Sequence, residues 1–323
     1  MRWIGFNCTD FMGMGSIGES RLADLAFIRE LGFNYLRLPL NYRLWRAGPR
    51  GQIDTLFLGQ LDRAIRTAVD CGLHVCLAFH RAPGYTVSRE GAEPGNLWQD
   101  AGLQALFVEE WRFLAERYAD IPAAGLSFNL INEPPPAGEA MSRAQHEAVV
   151  RRAIAALRAD APKRAIVIDG LNFGREPLPE LADTGAVQGC RGYEPLILTD
   201  FGSGRRPDLE IEIPEWPLPI KRKGQLDRAW LEARYRPWDA LIAEGVKVHC
   251  SEIGCTNKLP HHVTLTWLRD ALDVIAPRTL GFALWNFRGP LGIVDSRRED
   301  VDYIGTSAGG LDRKMLELLQ RYL

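Results

Sequence analysis

No apolar run in this 323-residue chain approaches the roughly 20 residues needed to span a bilayer, so a transmembrane helix is not expected. Charge of one sign is missing as well. Thirty-nine basic residues face 41 acidic ones, for a formal net charge of −2. With no basic excess to neutralise a phosphate backbone, nucleic acid is not an expected partner. The first residues, Met1-Arg2-Trp3-Ile4-Gly5-Phe6-Asn7, contain no apolar stretch followed by a small-residue cleavage site. They do not read as a secretory signal, and a cytoplasmic location is expected unless a leader has been removed. The six cysteines are scattered and mostly lie in apolar runs, where thiols act as small buried hydrophobes rather than disulfide partners. A dinucleotide fingerprint is lacking too: Gly13, Gly15 and Gly18 do not have its spacing. His261-His262 are adjacent residues, which rarely share a metal, and His249, Cys250 and Cys255 follow strand alternation. Neither a metal nor a cofactor is expected.

What is present is 46% hydrophobic and 25% charged, an ordinary globular balance. Short apolar, β-branched runs at 3–7, 35–40, 74–79, 126–131, 165–168, 186–193, 246–252 and 280–285 read as strands. Between most of them lie stretches with apolar residues every three or four positions, at 20–31, 57–71, 103–118, 143–158, 226–244, 263–275 and 314–322. Alternation of this kind requires a parallel sheet with right-handed crossovers. Eight strands over this length predict a closed (β/α)8 barrel, a TIM barrel, as one domain over residues 1–323. The longest irregular segment, 199–223, is rich in Pro, Gly and charge and follows the sixth strand, a placement typical of functional loops.

Such barrels build their sites at the C-terminal ends of the strands. The polar or aromatic residues that end the apolar runs are Asn7, Arg37, His80, Asn132-Glu133, Tyr193, Glu252 and Trp285. Two of them are carboxylates at the ends of separate strands. Closure of the barrel brings strand ends together across its mouth. Paired carboxyls about 5–5.5 Å apart perform retaining glycoside hydrolysis, one attacking the anomeric carbon while the other protonates the leaving oxygen.

The flanking residues carry a family resemblance. Asn132-Glu133-Pro134 after the fourth strand and Ser251-Glu252-Ile253-Gly254 after the seventh resemble glycoside hydrolase family 5, the cellulase family of clan A. Three further stretches agree: Leu31-Gly32-Phe33-Asn34-Tyr35-Leu36-Arg37-Leu38-Pro39, Phe79-His80-Arg81-Ala82-Pro83-Gly84 and Gly281-Phe282-Ala283-Leu284-Trp285. The resemblance covers nearly the whole chain. It implies that Glu133 is the acid/base, Glu252 the nucleophile, and Asn132 a partner of the sugar 2-hydroxyl. It further implies that Tyr193 donates to the nucleophile, that His80 bonds substrate hydroxyls or orients its neighbours, and that Trp285 lies beneath the ring being cleaved. Arg37 is expected to favour the charged form of Glu252, and burial with the Glu252 charge to raise Glu133. The implied substrate is a β-linked oligo- or polysaccharide, foremost β-1,4-glucan or β-gluco-oligosaccharides. β-Mannanase action, exo-acting β-glucosidase action and a catalytically impaired carbohydrate-binding barrel stand as alternatives.

One position departs from the family pattern. Arg191 stands two residues before Tyr193, where the family usually has histidine. Pointing inward, it would lower the pKa of Glu133 and hinder proton donation; pointing outward, it could pair with Asp200 or Glu194. The sequence leaves its direction open. Trp45, Tyr85, Trp98 and Trp216 lie in or beside loops and are equally compatible with sugar platforms or packing. Trp111, Trp230 and Trp267 lie on helix patterns and are expected in the core.

Overall fold

The computed structural model describes residues 2–12, 19–46, 52–88, 91–205, 212, 214–220 and 224–323. Gly13, Gly15 and Gly18 lie outside the described residues, as does part of the 199–223 loop.

Eight parallel strands form the barrel: β1 (Gly5–Asn7), β2 (Tyr35–Asn41), β3 (His74–Ala82), β4 (Leu126–Asn129), β5 (Ala165–Asp169), β6 (Val187–Gly192), β7 (Val248–Ile253) and β8 (Phe282–Trp285). Each pairs with its sequence neighbours. β1 hydrogen-bonds to both β2 and β8, and β2 to β3, which closes the cylinder and leaves no open edge. The expected single-domain (β/α)8 barrel is the observed fold.

The helices are α1 (Glu19–Glu30), α2 (Thr55–Asp70), α3 (Ala101–Arg117), α4 (Arg143–Asp160), α5 (Arg228–Tyr235), α6 (Pro237–Ala243), α7 (His261–Ile275) and α8 (Arg313–Gln320). Their starts are written in the sequence. Asp54 accepts from the Leu56 and Phe57 amides at the head of α2, and Ser142 with Gln145 closes a capping box on α4. α2 then buries Leu58, Leu61, Ala64, Ile65 and Ala68 on one stripe against the barrel. The helix expected at 226–244 is two helices, because Pro237 lacks the amide hydrogen that a continuous helix would use. Between β5 and β6 no long helix forms; a four-residue turn (Leu171–Gly174) and a 3-10 helix (Pro179–Thr184) make the crossover.

Two features aim side chains at the mouth. Opposite β6, β7 pairs Cys250 with Cys190 but Glu252 with Arg191, so Ser251 is a bulge that turns Glu252 into the barrel. On β6, Gly189 gives Asp169 room: a Cβ there would collide with the Asp169 carboxylate and come within 3.1 Å of Ser251 Oγ.

The barrel floor is polar and aromatic. Trp3 stacks on His74 with centroids 4.4 Å apart, and Tyr35 packs on His249 at 4.7 Å. His74 bridges Ser127 Oγ and the Ala124 carbonyl, each at 2.8 Å. Burial pushes His74 down to about 4 and His249 to about 3; His80 and His146 also fall to about 4 for the same reason. The unfolded chain takes up these protons near pH 6.5, whereas the folded one refuses them until much lower pH. Their stabilising contribution is therefore complete above about pH 6.5 and is lost as pH falls toward about 4, at up to about 1.4 kcal/mol per pH unit for each histidine. Glu133, described below, works the opposite way, as do Asp10 and Glu110, whose carboxyls burial also raises, but the four histidines outnumber them. A steep fall of the thermal midpoint between pH 6.5 and 4.5 is expected, with a shallower slope in His74→Gln. Equal midpoints across that range would refute this account.

Candidate active site

Glu133 sits just past β4 in a left-handed backbone conformation, φ 51°, that a non-glycine residue adopts only under restraint. The restraint is visible. Its amide donates to Asp169 Oδ2 at 3.0 Å, and Tyr85 Oη donates to its carbonyl at 2.5 Å. Its carboxyl, 16% exposed, reaches into the mouth. From β7, Glu252 enters the same space and is almost completely buried. Arg37 Nη1 donates to Glu252 Oε1 at 2.6 Å and Tyr193 Oη to Oε2 at 2.8 Å. Burial and the charges of Glu252 and Glu133 push the Tyr193 phenol well up, so it keeps the proton it donates.

Arg37 is fully buried and fully used. Besides Glu252 it reaches Asn7 Oδ1 (3.0 Å), Asn129 Oδ1 (2.8 Å) and Asn132 Oδ1 (2.8 Å). Arg191 points inward. Its Nε donates to Glu133 Oε1 at 3.0 Å and its Nη2 to Asn132 Oδ1 at 2.7 Å; Nη2 also pairs with Asp169 Oδ2 and lies 3.4 Å from Glu252 Oε1. The outward alternatives, Asp200 and Glu194, are not its partners; Glu194 is held instead by Arg175 at 2.6 Å. One guanidinium thus contacts both glutamates.

Two arginines on the Asn132 carbonyl oxygen dictate how its amide is turned. The Nδ2 group is buried, faces away from them and has no protein partner, which leaves its hydrogens for a ligand. His80 stacks on Trp285, centroids 5.5 Å apart and 23° between planes, and its Nδ1 is likewise unpartnered. The cleft lined by His80, Trp285, Glu133, Glu252, Arg191 and Tyr193 has a volume of about 670 Å³.

Charge accounting explains the acid. Two guanidiniums, Arg37 and Arg191, face three carboxyls, Glu133, Glu252 and Asp169. Burial opposes ionisation of Asp169, yet Arg191, Arg37 and the Glu133 amide hold it below the usual carboxylate range. Burial, then the negative charge of Glu252, lifts Glu133 to about 7, and Arg191 offsets only part of that rise. Arg191 does act to lower Glu133, as expected of an inward arginine, but burial and the Glu252 charge outweigh it, and Asp169 adds a smaller push in the same upward direction.

All seven site residues expected from the sequence (Glu133, Glu252, Arg37, His80, Asn132, Tyr193 and Trp285) converge at this mouth. Asp169 was missed, although it ends the fifth apolar run as the others end theirs. Phe173 and Arg175, which line the cleft beyond β5, carry no sequence signal. Asn172 and Phe173 are consecutive left-handed residues, φ 54° and 59°, pinned by amide bonds to Pro135 O (3.4 Å) and Pro134 O (2.9 Å).

The other aromatic candidates pack. Trp45 is fully buried and donates to Glu110 at 2.8 Å; Trp98 lies edge-on to Tyr85; Trp216 donates to Asp270 at 2.9 Å. Trp111 and Trp267 are in the core, whereas Trp230 is only partly buried. His261 pairs with Asp312 at 2.8 Å, and all six cysteines are free thiols. Among the described residues, no group of three or more His, Cys, Asp or Glu side chains has a metal-binding arrangement, and no helix is long and apolar enough to cross a membrane.

Comparison with known proteins agrees with this geometry. A solved structure described as a glycoside hydrolase is 34% identical, covering all of this chain and 99% of its own, with a TM-score of 0.91. Endoglucanase C of Acetivibrio thermocellus is 23% identical over 291 residues, 82% of this chain and 83% of that protein. A β-xylosidase of Phanerodontia chrysosporium is 28% identical over 287 residues, 86% of this chain and 58% of its own length. Residues 2–196, which run from β1 past the Glu133 strand to Tyr193, match the profile described as cellulase, glycosyl hydrolase family 5. With its paired strand-end glutamates on a closed eight-stranded barrel, the chain belongs to glycosyl hydrolase family 5 and is a glycoside hydrolase.

Proposed function

We propose that this hydrolase cleaves β-1,4-linked gluco-oligosaccharides with retention of anomeric configuration, using Glu252 as nucleophile and Glu133 as acid/base. The observation that supports the reading best is the pair of glutamates bridged by one guanidinium, of which Glu133 is poised to hold a proton near neutral pH.

In the first step a Glu252 oxygen bonds to the anomeric carbon while the bond to the leaving oxygen breaks. Glu133 gives its proton to that oxygen and becomes the carboxylate. In the second step this carboxylate takes a proton from water, the water oxygen attacks the anomeric carbon, and Glu252 departs as a carboxylate. Asn132 Nδ2 is free to donate to the sugar 2-hydroxyl, a contact that tightens as charge develops on the ring. Arg37 and Tyr193 fix the Glu252 carboxylate by one donor on each oxygen. His80, kept neutral by burial, bonds a hydroxyl through Nδ1 and backs the Trp285 ring on which the sugar stacks.

A cleft of about 670 Å³ with Trp285 and Phe173 among its walls suits a short oligosaccharide. The endoglucanase name of relatives matching over most of the chain supports glucan linkage. The test is a panel of cello-oligosaccharides, glucan, mannan, xylosides and aryl β-glycosides, with the first-formed product anomer read by NMR. The β-anomer from cello-oligosaccharides is expected. An α-anomer would overturn the mechanism, and turnover confined to mannan or xylosides would overturn the substrate assignment.

A further inference from the structure

Arg191 is buried on β6 and touches more of the site than any other single side chain. Asp169 pairs with its Nη2, the Cys190 carbonyl accepts from Nη1 at 3.3 Å, and Nε and Nη2 face Glu133 and Glu252 respectively. Resting on the two-step reading above, we infer that Arg191 is a positioning residue that acts as a fixed counter-charge for both glutamates, anchored by Asp169.

The charges make this specific. Before attack, Glu252 and Asp169 are anionic, Glu133 holds its proton, and Arg37 and Arg191 balance them. When the glycosidic bond breaks, the negative charge leaves Glu252, now an ester, and appears on Glu133, which has given up its proton. The net charge of these five groups is zero in both states. The anion moves from one face of the Arg191 fork to another, from Nη2 at 3.4 Å to Nε at 3.0 Å, and never leaves that cation. Guanidinium stays charged at every working pH and presents several donors in one rigid plane. A histidine at this position would titrate within the working range and could not span both carboxyls with a constant charge. Asp169 prevents the fork from settling on Glu133, by drawing Nη2 toward β5 while accepting the Glu133 amide through the same oxygen.

The charged and titratable groups around Glu133 are Arg191 on β6, Asp169 on β5, Glu252 on β7, and the Tyr85 and Tyr193 phenols; Arg37 and His80 stand one neighbour further away. Arg191 and Asp169 act on Glu133 with opposite sign. The test is the pH profile of kcat/KM on an aryl β-glycoside with a poor leaving group, for wild type, Arg191→Met, Arg191→Lys and Asp169→Asn, with folding followed by circular dichroism. Arg191→Met is expected to move the alkaline limb up by about one pH unit or more. Asp169→Asn is expected to move it down, since the fork is then released onto Glu133. Arg191→Lys should fall between wild type and Arg191→Met, because one ammonium cannot reach both carboxyls. A residue that merely supports the fold would lower activity without displacing the limb. Limbs that coincide with wild type, or that shift in the same direction in Arg191→Met and Asp169→Asn, would overturn the inference. If Arg191→Met does not fold, the downward shift in Asp169→Asn decides alone. Wild-type protein without turnover on any aryl β-glycoside would sink the proposed function as well, whereas active wild type with unmoved limbs sinks only the role of Arg191.

Discussion

Glu252→Gln is expected to lower turnover of aryl β-glycosides by about 10⁵-fold, because the amide cannot form the covalent intermediate on which both steps depend. Removing one partner of a buried ion pair usually costs about 3–5 kcal/mol. The amide oxygen still accepts from Arg37, which also keeps Asn7, Asn129 and Asn132 as acceptors, so the loss should fall below that range and the barrel should persist. Tyr193 loses an anionic acceptor but stays beside a group of the same shape. The sharper form of the experiment is Glu252→Gly with added azide. The vacated volume admits the small anion on the face from which Glu252 attacks, opposite the leaving group, and an α-glycosyl azide should accumulate from an activated β-glycoside. Hydrolysis by Glu252→Gln at the wild-type rate, or a β-azide from Glu252→Gly, would remove Glu252 from the nucleophile's role.

Glu133→Ala should behave differently, and the difference identifies the acid. For a poor leaving group, loss of proton donation costs about 10³–10⁴-fold in kcat/KM. For a dinitrophenyl glycoside, whose leaving oxygen needs no proton, kcat/KM should change little while kcat falls, since the second step lacks its base. Glu133 is lifted to about 7 by burial and by Glu252, so wild-type kcat/KM should decline as pH rises through about 7. In Glu133→Ala that decline should vanish, and azide should yield the β-glycosyl product. Retention of the alkaline limb in this variant would assign it to another group.

Much of this site was legible in the sequence, for a physical reason. Barrel strands are mostly apolar, so a carboxylate at the end of an apolar run announces its position at the mouth. Glu133 and Glu252 were readable in that way, whereas Arg37 lies inside β2, at its third residue, and was legible through the motif around it. Asp169 obeys the same rule at the end of Ala165–Asp169. The direction of Arg191 was not readable, because it depends on a carboxylate from the neighbouring strand and on the space left by Gly189. Phe173 was illegible for a different reason: its ring reaches the cleft through a left-handed turn that propensity argues against. The break at Pro237 shows the converse error, where helical periodicity continues across a residue that cannot continue the helix. Trp45 and Trp98 show that proximity to a loop does not separate a packed indole from an exposed one.

The amide bonds from Asn172 and Phe173 to the carbonyls of Pro135 and Pro134 tie the turn after β5 to the residues directly following Glu133. Selectivity on the Phe173 wall and proton delivery therefore share one mechanical mount. Insertions or deletions at 171–174 would disturb the acid along with the wall, so kcat and KM should change together. Residues 196–205 on the next loop also border the cleft but have no such stitch to Pro134 or Pro135, and there the recognised sugar can diversify while the chemistry stays in place.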